Sequence, residues 1–124
     1  MRYLKNKTFQ RDLKDNGLDD QDVKVVLDDV YKGRAIPMGF KMYKIRGAVD
    51  GKGKRGGFRS LFFWKKDEHI IFCLLFTKNE HDNISPEDKK VLEILSREYD
   101  HLTDAEISAM VGKNTLKEIK YEKQ

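Results

Sequence analysis

The 124-residue sequence predicts an α+β fold, because its helical and strand patterns come in separate runs rather than in alternation. Two helical segments lead, three strand patterns follow with only loops and turns between them, and the carboxyl-terminal third returns to helical spacing.

The first helix spans Thr8 to Asn16, where Phe9 and Leu13 lie four apart on one face and Asn16-Gly17 is a stop. The second runs from about Asp20 to Lys32. Its Val23, Val26, Leu27, Val30 and Tyr31 fall at helical spacing, acids crowd its first turn, and Gly33 terminates it. The two helices form a hairpin. Residues 33–40, GRAIPMGF, contain Pro37 and Gly39 and read as a loop.

In the strand KMYKIRGAV, alternation sets Tyr43 and Ile45 on one face and Met42, Lys44 and Arg46 on the other. The next, FRSLFFWKK, sets Arg59, Leu61 and Phe63 against Ser60, Phe62 and Trp64, and 66–68 make a turn. The third, HIIFCLLFT, is apolar throughout, as a strand covered on both faces in the middle of a sheet must be. Ser85 then caps a helix with Pro86 at its first position and an apolar stripe of Val91, Leu92, Leu95, Tyr99 and Leu102. Thr103 and Glu106 make a capping-box pattern for a short helix ending at Gly112, and TLKEI reads as a brief strand or an ordered tail.

The length allows one domain, 1–124, with a single core of two packed layers. Within it, 1–102 reads as the core and 103–124 as a helical extension. With 39% hydrophobic residues, two Pro and no low-complexity tract, the chain is not disordered. The longest apolar run, 70–76, is too short to cross a membrane, and MRYLKNK leads into no apolar signal region, so a cytoplasmic protein is expected. The single Cys73 reads as a buried core residue.

Charge points to the partner. Residues 41–59 hold seven bases and one acid, a net of +6 in a chain that totals +4. Residues 11–31 hold three bases and seven acids, a net of −4. A molecule that tolerates such clustering has a field suited to phosphate, although a solvated loop would show the same composition.

Gly51, Gly53 and Gly56 match GxGxxG, but the segment opens a strand where a dinucleotide fold needs a helix. The loop reads instead as a connector whose glycines let Lys52, Lys54 and Arg55 approach a phosphate chain. His69, His81 and His101 have no partners at metal-ligand spacing, and no nucleophile motif occurs, so no metal and no cofactor are expected. Strand geometry can gather Lys44, Arg46 and Arg59 on one surface, with Lys78, Asn79, Glu80 and His81 at the exit of the third strand. Arginines can hold a phosphodiester and stabilise its transition state, and Lys78 or His81 can move a proton. Simple RNA or DNA binding fits the same residues.

KGKRGGFRSLFF, IIFCLLFTKNEHDNIS and LTDAEISAMVGKNTLKEI together resemble the RelE/ParE toxin superfamily of bacterial type II toxin–antitoxin modules, in its HigB-like branch. The GKGKxGGxR pattern of Gly51 to Arg59 and the triplet Lys78-Asn79-Glu80, with one strand between them, carry the likeness. The resemblance implies two amino-terminal helices packed on a small, mainly antiparallel twisted sheet, with helices at the carboxyl end. It implies a ribosome-dependent mRNA endonuclease that uses the ribose 2′-hydroxyl as nucleophile without a metal. Lys44, Arg46, Arg59, Lys78 and His81 would be catalytic, and Lys41, Lys52, Lys54, Arg55 and Asn79 would bind RNA or ribosome. Asn79 stands where cleaving members often have an Arg, and no carboxyl-terminal stacking Tyr has a clear counterpart. The partners implied are a cognate helix-turn-helix antitoxin, through which the complex would bind operator DNA, and the ribosome with its mRNA. Gyrase poisoning of the ParE type and a non-catalytic binding module are the alternatives.

Overall fold

A computed structural model describes residues 1–49, 53–77 and 84–123, with the backbone alone at 49 and 53–56. The chain folds as β1 (Arg2–Asn6), α1 (Lys7–Asp15), α2 (Asp20–Tyr31), β2 (Ile36–Gly39), β3 (Met42–Val49), β4 (Gly53–Lys65), β5 (His69–Thr77), α3 (Pro86–Asp100), α4 (Asp104–Gly112) and β6 (Leu116–Glu118). The six strands form one sheet in the order β2-β3-β4-β5-β1-β6. Only β1 and β5 pair in parallel, so the fold is α+β on a mainly antiparallel sheet.

Local chemistry places the helix ends. Asn6 accepts from the Phe9 amide at 2.9 Å and starts α1 directly from β1. Asp19 and Asp22 close a capping box on α2, Thr103 and Glu106 do the same on α4, and Ser85 caps α3 ahead of Pro86.

Two strands lie where the sequence reads none. β1 is buried at three successive positions, Tyr3, Leu4 and Lys5, so it shows no alternation. Tyr3 packs toward α1 and α2, Leu4 toward α3 and α4, and Lys5 is ion-paired to Asp20. β2 occupies part of the expected loop. It joins β3 through Phe40 and Lys41, both at positive φ (55° and 61°), which lets a two-residue connection follow the twist of the strands.

The expected two-layer core is in fact two cores, one on each sheet face. Phe9, Leu13, Val23, Val26, Leu27 and Val30 of α1 and α2 pack on Ile45, Phe58, Phe62, Ile70 and Phe72. Leu92, Tyr99 and Ile107 of α3 and α4 pack on Leu4, Met42, Leu61, Phe63 and Ile71. The cause is that β1, β4 and β5 carry large apolar side chains on both faces, which a single helical layer cannot cover. β5 does lie inside the sheet, between β4 and β1. Its register against β4 passes from Leu61↔Leu74 to Phe62↔Phe72. Cys73 is thus the extra residue of a bulge, and burial pushes its thiol up to about 12.

His69, 2% exposed, opens β5 and lies 3.1 Å from the Tyr99 carbonyl, to which its Nε2–H donates. Desolvation holds its pKa below the ordinary value. The unfolded chain therefore takes up a proton below about pH 6.5 that the folded chain resists, so this stability is present above that pH and lost as pH falls. The thermal midpoint is expected to drop from about pH 6.5 downward. His69→Gln should flatten that part of the profile, and an equally steep drop in the variant would remove His69 as the cause.

Candidate functional site

The site is built by the pairing of β3 with β4. Met42 lies opposite Phe63, Lys44 opposite Leu61, and Arg46 directly opposite Arg59. Since Met42, Leu61 and Phe63 all pack under α3 and α4, alternation puts Lys44, Arg46 and Arg59 on that same face. β2 extends the face, with Ile36 opposite Lys44. Together Ile36, Lys44, Ile45, Arg46 and Arg59 line a concavity of about 390 Å³.

Two arginines facing each other across a ladder destabilise the sheet unless something binds between them. Arg46 is exposed and Lys44 half-buried, and among the described residues neither side chain makes a hydrogen bond or ion pair. Arg59, only 8% exposed, is partnered. The three cations thus form a graded set, from a fixed guanidinium in the floor to a solvated one at the mouth. Of the helices, α2 on the opposite face is acidic, with four acids against Lys24, but α3 and α4 on the site's own face carry seven acids against three bases. The basic character of that face therefore belongs to the strands that hold Lys44, Arg46 and Arg59.

Two glycines make this close pairing possible. A Cβ on Gly57 would lie 1.8 Å from the Gly47 carbonyl oxygen, and one on Gly47 would lie 2.4 Å from the Phe58 ring. Both flank the Arg46–Arg59 pair, and sequence reading passed over them in favour of the glycines of 51–56. The available signal was their placement: Gly47 directly follows Arg46 and Gly57 lies two residues before Arg59, both inside strands. Ile36 was hidden for another reason, since its strand reads as a loop.

The other predicted residues lie elsewhere. Lys41 sits at the far end of β3, about 16 Å along the strand from Arg46, and bonds Asp100 at 2.7 Å. That bond holds the Asp100 carboxyl below its usual range. Lys54 and Arg55 belong to β4 by their backbone, and their side chains are outside the described residues, as are Lys52, Lys78, Asn79 and His81 altogether. From Gly53 on, the GxGxxG segment lies in β4 and not in a helix. No three His, Cys, Asp or Glu side chains cluster for a metal among the described residues, and no helix among them is long and apolar enough to cross a membrane.

Residues 1–119 match the model of a known family, described as the RelE toxin of the RelE/RelB toxin–antitoxin system. No curated protein matches the chain. The match takes in both helical layers and all six strands. The chain belongs to the RelE toxin family, and is the toxin half of a toxin–antitoxin pair with a cognate antitoxin as its partner.

Proposed function

We propose that this toxin cleaves mRNA on the ribosome. The supporting observation is the opposition of Arg46 and Arg59 beside Lys44 in one concavity. A phosphodiester laid there meets three cations within one pocket. Its 2′-oxygen attacks the adjacent phosphorus, the bond to the next nucleotide's 5′-oxygen breaks, and a 2′,3′-cyclic phosphate remains. Arg59, held in the floor, and Arg46 bind the non-bridging oxygens, where negative charge grows in the transition state. Lys44 adds a third donor at the same phosphate. One proton leaves the 2′-hydroxyl and one joins the departing 5′-oxygen. We assign that transfer to Lys78 or His81, which follow Thr77 in the sequence. Lys52, Lys54, Arg55 and Asn79 are assigned to RNA or ribosome contact, and operator DNA is reached through the antitoxin.

The direct test is primer extension on mRNA from cells expressing the toxin without its antitoxin. Breaks confined to translated regions are expected. Intact message with accumulated double-strand DNA breaks would move the target to gyrase, and neither lesion in a folded toxin would leave only a binding module.

A further inference from the structure

The side of the sheet away from Lys44, Arg46 and Arg59 holds a larger concavity, of about 780 Å³, whose walls include Tyr3, Tyr31, Trp64 and Tyr121. Four separate elements bring these rings together: β1, the last turn of α2, the end of β4 and the tail after β6. The Tyr3 and Tyr31 hydroxyls are hydrogen-bonded at 2.7 Å, and the Tyr121 hydroxyl donates to Asp28 at 2.6 Å. Tyr31 lies within 5° of parallel to Tyr121 and meets Trp64 edge-on. The rings are fixed, yet Tyr31, Trp64 and Tyr121 remain half-exposed.

Two ammonium groups stand over these rings. Lys66 Nζ is 5.7 Å from the Trp64 ring centre, and Lys123 Nζ is 4.5 Å from that of Tyr31. Fixed, half-open aromatic faces with a cation beside each are what a single nucleic-acid strand uses, bases stacking on rings while phosphates meet the cations. Asp67 and Glu122 also line the cleft and offset the two lysines, so general attraction for polyanions is weak there and stacking must supply the discrimination. A base that stacks here takes the ring face that each lysine covers, and the displaced ammonium is then within reach of the strand's phosphates.

We infer that this cleft is a second RNA site, one that stacks unpaired bases on Trp64 and Tyr31 and holds their phosphates with Lys66 and Lys123. It is separate from the phosphate site on the other face and does not require cleavage.

Trp64 is the only tryptophan, so its fluorescence reads the cleft directly. The full chain is titrated with a short oligoriboadenylate and with an abasic ribose-phosphate chain of equal length. Saturable quenching by the first and none by the second is expected. In Lys66→Ala/Lys123→Ala the quenching should need roughly tenfold more oligonucleotide, with a log–log salt slope shallower by about 1.4. Lys44→Ala/Arg46→Ala should quench as the parent does. The inference is overturned by absent quenching, by equal quenching with the abasic chain, or by an unchanged Lys66→Ala/Lys123→Ala titration. Loss of quenching in Lys44→Ala/Arg46→Ala would also overturn it, as would a Trp64 response to the antitoxin alone, which would make the cleft a protein-docking surface.

Discussion

Arg46→Ala is expected to lower message cleavage by about 10²-fold, or about 2.7 kcal/mol of transition-state stabilisation, the scale for deleting one preorganised donor. Its thermal midpoint should stay close to the parent's, because the side chain is exposed and has no hydrogen bond or ion pair among the described residues. Growth arrest should weaken in parallel. Lys78→Ala should lose activity to a similar degree. Arg59→Ala differs from both: Arg59 is buried and partnered, so removing it leaves an uncompensated group and lowers stability as well as rate. Arg59→Lys restores a charge without the planar fork and should recover stability more than cleavage. Full cleavage by Arg46→Ala on translating ribosomes would remove the proposed site.

Gly57→Ala carries the largest expected effect on folding. Its Cβ would lie 1.8 Å from the Gly47 oxygen, a backbone atom that cannot rotate away, so β3 and β4 must separate locally. The loss is expected to exceed about 3 kcal/mol, the upper range for overpacking a core. Cleavage should fall with it, because the pairing that opposes Arg46 to Arg59 lies two residues away. Gly112→Ala is the control, since a Cβ there meets nothing within 4 Å and its midpoint should barely move. Thermal unfolding of the two variants side by side decides the matter. Equal midpoints would mean that the strands tolerate a side chain at Gly57.

These expectations come from different depths of information. The helix starts were legible because caps are local: Ser85 with Pro86, and Thr103 with Glu106, act within one turn. The facing of Lys44, Arg46 and Arg59 was legible because a strand's period of two ties them to Met42, Leu61 and Phe63. Lys41 was misleading for the same local reason. Composition counts it with the basic segment, whereas the hairpin turn sends it to the opposite end of β3, against Asp100.

What sequence alone determined, then, was the α+β class, the order and ends of most elements, the basic face, and the likeness to a toxin family that the match over residues 1–119 bears out. Tertiary structure decided the rest. β1 is recognisable only through its parallel pairing with β5, some 67 residues away, because burial on both faces erases its periodicity. The division into two cores, the collision that requires Gly57, and the gathering of Tyr3, Tyr31, Trp64 and Tyr121 all arise between segments far apart in the chain. Local pattern records which way a side chain points, and only the packed sheet records what it meets.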